Sequence, residues 1–163
     1  MKYIIERFLK HVHGLPEQQK MLVSISYSDT MLKKHFETIL DKYSLTPPQY
    51  NLLRILQGKH PQPCKVSELK SMIINRDSDV SRMIERLRVI GLIDRKQKKE
   101  DRRAVDIVIT EKGLSLVDQI AKQEEKNMFG PFCHLTEAEA KQVNVLLHKM
   151  MNGLKEDTSL PLP

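Results

Sequence analysis

The chain has 163 residues, and its 27 Lys and Arg residues against 21 Asp and Glu residues give a net charge of +6. Charged residues make up 29% and hydrophobic residues 40%, a composition typical of folded soluble proteins that argues against global disorder. No apolar run approaches the ~18–20 residues of a membrane helix, and two cysteines are too few for a disulfide framework, so we expect a single cytoplasmic domain.

Three helices are predicted in the first part of the chain. A short amphipathic helix is expected over residues 2–12, with an apolar face that contains Ile4, Ile5, Phe8, Leu9 and Val12. A longer pattern of helical spacing predicts a second helix over about residues 17–43. Pro47 suits the first position of a third helix, which would extend to Gly58. The proline-rich stretch over residues 59–63 predicts a loop.

The middle of the chain predicts two short helices around a tight turn, followed by a hairpin. The turn is expected at Asn75 and Arg76. The second of these helices, over about residues 77–90, would have an apolar face that contains Val80, Met83, Ile84, Leu87 and Ile90. Gly91 lies where a left-handed C-terminal cap belongs. The pattern then alternates between apolar and polar residues, which predicts two antiparallel strands around a strongly charged tip.

Two further helices are predicted after the hairpin. Thr110 is expected to cap a helix over about residues 111–127, which Gly130 and Pro131 would end. Thr136 and Glu139 form a capping box, which predicts a last helix to about residue 154. The remaining tail, residues 156–163, is expected to be flexible.

The positive charge is concentrated in one part of the chain. Residues 59–112 contain 14 basic and 9 acidic residues, whereas the other 109 residues contain 13 and 12. A lone charge run is usually a solvated loop. Here the densest run, residues 95–103, lies at a hairpin tip beside a helix pair. A helix fits the ~12 Å major groove of DNA, and a basic hairpin can reach the adjacent minor groove. The pattern therefore favours binding to duplex DNA.

Six sequence blocks follow one another between residues 45 and 113: LTPPQY at 45–50, VSEL at 66–69, VSRMIERL at 80–87, GLIDR at 91–95, DRRAV at 101–105 and TEKG at 110–113. Each block alone has low specificity, but their order and spacing resemble the MarR family of bacterial winged helix-turn-helix regulators. The resemblance implies a mainly α (α+β) fold over residues 1–163 as a single domain. Residues 45–113 would form a winged helix-turn-helix with a two-stranded wing, and residues 1–44 and 114–155 would supply dimerisation helices.

The same resemblance implies a sequence-specific transcriptional regulator of the bacterial cytoplasm. Such proteins bind double-stranded DNA at a palindromic operator as homodimers, most often repress, and are commonly released by a small-molecule effector. A dimer would also bury the apolar stripes near both chain ends, which a small winged domain could not cover. The alternative is a protein–protein interaction module that keeps the winged helix fold without DNA readout. Loss of the basic wing would be the sign of that alternative.

The candidate DNA-binding residues on the second helix of the pair lie off its apolar face: Ser78, Asp79, Ser81, Arg82 and Arg86. Ser81 and Arg82 are the first candidates for base or phosphate contact, since Arg can pair with guanine through two hydrogen bonds. Arg86 would meet a phosphate or pair with a neighbouring carboxylate. Asp79 would accept a hydrogen bond from cytosine, or it would only favour the positive end of the helix.

The candidates at the hairpin tip follow from the match of the DRR block to the family's tip motif. The resemblance implies that Arg103 enters the minor groove and that Asp101 restrains it by an ion pair. Lys98, Lys99 and Arg102 would then face phosphates. The alternative for Lys98 and Lys99 is a solvated tip without ordered contacts.

An effector site is expected where family members often have one, in a cleft between the dimerisation helices and the winged domain. The candidates are Tyr27, Met31, His35, Tyr50 and Arg54, each of which could also be a core or surface residue. The oxidant-sensing branch of the family has its reactive cysteine near the start of the first long helix. Since no cysteine precedes Cys64, we expect Cys64 and Cys133 to be inert.

No cofactor, metal or enzymatic activity is expected from the sequence. No His, Cys and Glu cluster has metal-ligand spacing. A glycine-rich phosphate loop and a nucleophile elbow are also missing from the sequence.

Overall fold

The computed structural model describes residue 10 and residues 12–73, 80–97 and 105–156. The chain divides into two compact units, Met1–Pro47 and Pro48–Pro163. Most of the predicted N-terminal helix and the end of the predicted tail, residues 157–163, lie outside the described residues. No helix within the described ranges is both long and apolar enough to cross a bilayer.

The first unit is built on one long helix. Helix α1 (Glu17–Leu40) continues into a 3-10 turn (Asp41–Tyr43), which confirms the helix predicted over residues 17–43 apart from its tighter last turn. Ser44 then adopts a left-handed φ of 54°. The backbone N–H of Leu45 donates to the carbonyl of Leu40 at 3.2 Å. This left-handed residue and its hydrogen bonds satisfy carbonyls at the end of the helix, which is why the chain turns here.

Over the residues that the structure describes, the second unit contains five helices, three strands and a further 3-10 turn. In chain order these elements are α2 (Pro47–Lys59), β1 (Cys64–Lys65), α3 (Val66–Met72), α4 (Val80–Val89), β2 (Ile93–Gln97), β3 (Val105–Ile109), α5 (Glu111–Phe129), the 3-10 turn (Gly130–His134) and α6 (Glu137–Glu156). Helices α3 and α4 are the two helices of the predicted helix-turn-helix, and the turn predicted at Asn75 and Arg76 lies outside the described residues. Strands β2 and β3 are the predicted wing.

The sheet has three antiparallel strands in the order β1-β3-β2. Ile93 pairs with Ile109 at one end of the hairpin, and Gln97 pairs with Val105 at the other. Cys64 of β1 pairs with Ile107 on the free side of β3. The sequence predicted β2 and β3 but missed β1, because two residues are too few to show an alternating pattern.

The apolar core of the second unit lies between its helices and the sheet. Side chains exposed by less than 2% include Leu52, Leu53, Leu56, Leu69, Ile84, Leu87, Ile107, Val117 and Ile120. Burying one such side chain contributes about 1.5–3 kcal/mol. The predicted apolar face of α4 is confirmed, except that Ile90 is 40% exposed. Ile90 lies directly after the last residue of the helix, Val89.

A small hydrogen-bonded joint connects the end of α4 to the start of α5. Gly91 has a φ of 75°, which confirms the predicted left-handed cap. Its carbonyl accepts a hydrogen bond from the Thr110 hydroxyl at 2.8 Å, and Lys112 Nζ donates to the Ile90 carbonyl at 2.7 Å. Thr110 Oγ1 in turn accepts from the Gly113 N–H at 3.1 Å, so Thr110 is the predicted N-cap of α5.

The capping box before α6 is also confirmed. The Glu139 N–H donates to Thr136 Oγ1 at 3.3 Å, and the Thr136 N–H donates to Glu139 Oε2 at 2.8 Å. The hydrogen bonds that Glu139 Oε2 accepts from the Thr136 N–H and from the Thr136 hydroxyl lower the pKa of Glu139. Exposed apolar side chains surround this region: Phe129, Phe132, Leu135, Val143, Val145, Leu146 and Met151. This exposure is a property of the single chain and indicates a surface suited to a partner.

Candidate nucleic-acid interface

Helix α4 presents its polar side because its apolar side is buried. Val80, Met83, Ile84 and Leu87 anchor the helix in the core. Ser81, Arg82 and Arg86 are exposed, so three of the five candidates on this helix lie on its accessible surface. Ser78 and Asp79 lie outside the described residues, and their roles stay predictions.

The carboxylate next to Arg86 is engaged elsewhere. Glu85 accepts two hydrogen bonds from Arg88, at 2.7 Å from Nη2 and 3.2 Å from Nε. Its Oε2 also forms an ion pair with Arg95 Nη2 at 3.1 Å. The hydrogen bonds from Arg88, with the charges of both guanidinium groups, lower the pKa of Glu85. Sequence reasoning missed this bridge, since helical periodicity does not give the position of β2 beside α4.

The strands of the wing bring both ends of the charged tip together. Because Gln97 and Val105 are paired in register, the chain leaves β2 and enters β3 at the same end of the hairpin. The five candidates of the tip lie outside the described residues: Lys98, Lys99, Asp101, Arg102 and Arg103. Their roles stay predictions from the family resemblance.

Near the end of the strands that leads into the charged tip, an acidic side chain lies on the central strand. Asp106 is only 6% exposed, and its register partners are Lys65 on β1 and Lys96 on β2. Opposite charges on neighbouring strands stabilise a sheet through cross-strand pairing. This part of the sheet therefore carries exposed lysines on both outer strands around one buried carboxylate.

A second polar cluster fixes the first helix of the helix-turn-helix. Glu68 in α3 forms an ion pair with Lys59 at the end of α2. It also accepts a hydrogen bond from the Cys64 thiol at 3.3 Å. Lys59 and Cys64 together lower the pKa of Glu68. Burial, helped by the hydrogen bond to Glu68, raises the pKa of Cys64 to about 11.

The two cysteines are expected to differ sharply in their reactivity toward an added reagent, although neither is expected to act as an oxidant sensor. Cys64 is buried, whereas Cys133 is exposed. Only a thiolate attacks alkylating reagents or oxidants, and a pKa shift of two units lowers the thiolate fraction about a hundredfold. Brief iodoacetamide treatment of the folded protein should therefore modify Cys133 and leave Cys64 intact, as read by peptide mass spectrometry. Urea should make both react. Equal labelling in the folded protein would contradict the burial of Cys64.

Two of the five effector candidates line one cavity. Tyr50 and Arg54 of α2 face a cavity of about 320 Å³, together with residues of α5 that include Lys122, Glu125, Met128 and Phe129. This volume is at the lower end of the range for small-molecule sites. The Tyr50 hydroxyl is buried without a hydrogen-bond partner among the described residues.

The cavity also has lining residues that sequence reasoning missed. Helical spacing places Lys122, Glu125 and Phe129 on one face of α5, which could be seen in the sequence. The sequence did not show that this face lies next to α2. The other three effector candidates lie on α1. Tyr27, Met31 and His35 are spaced four residues apart on one side of that helix, and all three are partly buried.

Metal-binding chemistry has no support in the part of the chain that the structure describes. No group of three or more His, Cys, Asp or Glu side chains in those ranges could hold a metal ion.

Comparisons with known proteins agree with this architecture. Residues 45–105 match the sequence model of the MarR family. The chain is 26% identical over 145 residues to the HTH-type transcriptional regulator MgrA of Staphylococcus aureus, covering 88% of this chain and 95% of that protein. It is 26% identical over 122 residues to the HTH-type transcriptional repressor IacR of Pseudomonas putida, covering 75% and 72%. The fold matches that of MepR in the S. aureus MepR–DNA complex, with a TM-score of 0.71 and 20% identity over 79% and 94% of the two chains.

Proposed function

We propose that this chain, whose residues 45–105 match the MarR family, is a winged helix-turn-helix transcriptional regulator that represses transcription by binding a palindromic operator as a homodimer. Helix α4 carries this proposal. Its apolar side is buried, and its exposed side presents Ser81, Arg82 and Arg86 beside the strands that lead to the basic tip. Two comparisons support this proposal: IacR is named a transcriptional repressor, and MepR, which shares the fold, was solved in complex with DNA. Such a regulator would act in the cytoplasm, where the bacterial chromosome lies.

In this proposal each element of the second unit has a distinct task on DNA. Helix α4 enters the major groove while α3 crosses the backbone. Arg82 contacts a base or a phosphate from the exposed side of α4, and Arg86 contacts a phosphate. A bidentate contact between arginine and guanine contributes about 1–3 kcal/mol of discrimination. The tip, with Arg103 as its principal residue, reaches the neighbouring minor groove.

The exposed apolar residues support the homodimer. Val145 and Leu146 of α6 are 59% and 58% exposed, and Leu22 of α1 is 63% exposed. Pairing of such helices across a two-fold axis would bury these residues and place two α4 helices on successive half-sites, about 34–36 Å apart. Sedimentation equilibrium tests this step. The wild type should sediment as a dimer and Leu146→Glu as a weaker dimer, whereas a monomeric wild type would contradict the proposal.

The cavity between α2 and α5 is the proposed effector site. Arg54 and Lys122 supply positive charge there, and Met128 and Phe129 supply apolar surface. This combination suits a small, partly apolar molecule with an anionic group. Tyr27, Met31 and His35 of α1 remain further candidates. A panel of such ligands should release DNA from the wild type but not from Arg54→Ala, which should still bind DNA. A ligand that releases both proteins equally would contradict this assignment.

The DNA-binding proposal is tested by selection from genomic fragments. The purified full-length protein is mixed with sheared bacterial DNA, and the bound fragments are sequenced. The bound set should share an inverted repeat, and Arg82→Ala should enrich it poorly. Enrichment of no palindrome would contradict the proposal and favour the protein–protein interaction module.

A further inference from the structure

One carboxylate links helix α4 to strand β2 of the wing through ion pairs. Glu85 in α4 contacts two guanidinium groups at once, Arg88 on its own helix and Arg95 on strand β2. The side chains of all three residues are 43–45% exposed. The bridge therefore lies at the surface, on the side of α4 that faces the wing.

The bridge occupies one flank of the helix surface proposed to face DNA. At 100° per residue, Ser81, Glu85 and Arg88 fall on one side of α4, whereas Arg82 and Arg86 fall on the other. Arg95 approaches the first flank from the middle of β2, two residues before this strand ends at Gln97 and the chain enters the charged tip. A shift of Arg95 relative to α4 would therefore also move the wing relative to Arg82 and Arg86, which are proposed to contact DNA.

A carboxylate at this place is unfavourable for DNA binding by charge alone. DNA is a dense polyanion, and every negative charge near it lowers the electrostatic attraction. The hydrogen bonds from Arg88 and the neighbouring charges lower the pKa of Glu85, so it is ionised at neutral pH and its charge is fully present. This electrostatic cost would be offset if the ionised carboxylate held neighbouring groups in the positions that DNA binding requires.

We propose that Glu85 is a positioning residue for DNA recognition, which holds Arg95 and strand β2 of the wing against the flank of α4. The bridge sets the spacing between the helix that enters the major groove and the hairpin that reaches the minor groove. It also orients Arg88 and Arg95 toward fixed places beside the helix. This inference rests on the proposed DNA-binding function.

Glu85→Gln separates a positioning role from simple repulsion, because the two predict opposite signs. The variant keeps the shape of the side chain and removes one negative charge. If Glu85 only repelled DNA, its loss would strengthen binding to every duplex. If it positions the wing, its loss weakens binding to the selected operator fragment about three- to tenfold, which corresponds to about 0.7–1.4 kcal/mol. Binding to a shuffled duplex of equal length should stay unchanged or become tighter.

Controls for net charge and folding are available in the same chain. Glu37 is exposed on α1 and takes no part in the bridge, so Glu37→Gln makes the same change of net charge and should leave the ratio of operator to shuffled affinity unchanged. Surface ion pairs contribute only about 0–1 kcal/mol to stability. The thermal melting curve of Glu85→Gln should therefore stay close to that of the wild type, which excludes unfolding as the cause of weaker binding.

A double-mutant cycle tests the pairing itself. Arg95→Gln alone should weaken operator binding, and adding Glu85→Gln should cost little more, because both changes break the same contact. If the losses of operator affinity in the two single variants were fully additive, the contact between Glu85 and Arg95 would not be their cause. Equal or tighter operator binding by Glu85→Gln would overturn the inference while leaving DNA binding intact. A wild type without any preference for the selected fragment would overturn the proposed function, and this inference with it.

Discussion

Arg103→Ala is expected to weaken binding to the selected operator fragment by more than about tenfold while the dimer stays intact. The residue matches the position of the family's tip motif that enters the minor groove. The negative potential of that groove attracts an arginine more strongly than a solvated surface does. Fluorescence anisotropy with labelled duplex measures the affinity, and sedimentation checks the dimer.

The control for this variant removes a positive charge elsewhere. Lys34 is exposed on α1, so Lys34→Ala lowers the net charge equally without changing a residue of the wing. It should reduce affinity only slightly, through the long-range field. Similar losses for both variants would show that Arg103 acts only through net charge. Unchanged affinity of Arg103→Ala at physiological salt would remove the wing from the mechanism.

Gly113→Ala is expected to cause the largest loss of stability from the addition of a single methyl group. A Cβ atom at this position would lie 2.2 Å from the backbone carbonyl oxygen of Leu92 and 2.7 Å from Ile109 Cγ1. The backbone of Leu92 cannot rotate away as a flexible side chain could, so the joint between α4 and α5 must shift. Overpacking of this kind typically costs about 1–3 kcal/mol. Urea denaturation followed by circular dichroism measures the change in the free energy of unfolding.

Gly58→Ala is the matched control for Gly113→Ala. Gly58 lies near the end of α2, and a Cβ added there would meet nothing within 4 Å. Alanine costs less backbone entropy in a helix than glycine, so this variant should gain up to about 1 kcal/mol. A loss of stability in Gly58→Ala as large as that in Gly113→Ala would contradict the steric explanation.

The features that the sequence predicted are those determined by neighbours in the chain. The apolar face of α4, the Thr110 cap and the capping box at Thr136 each depend on residues within a few positions of one another. Helical spacing and capping chemistry encode such features directly. Helical periodicity also predicted that Ser81, Arg82 and Arg86 are exposed, because they lie outside the apolar face that is buried.

The features that the sequence did not predict depend on residues that are distant in the chain. Strand β1 is recognisable only through its pairing with β3. The contact of Glu85 with Arg95 and the cavity shared by Arg54 and Lys122 each require two elements to be placed side by side. Hydrophobic periodicity gives the face of each element but not its neighbour. Charged residues at such contacts look like ordinary surface residues in the sequence.

The central claim is that a basic surface of this protein reads a particular DNA sequence. The most direct test is the affinity of the full-length protein for the selected duplex and for a shuffled duplex across a range of salt concentrations. The account predicts that log affinity for the selected duplex falls steeply with log salt, by about 0.9 for each phosphate contact. It also predicts that the preference over the shuffled duplex persists at physiological salt. A flat salt dependence, or equal affinity for both duplexes, would contradict the account.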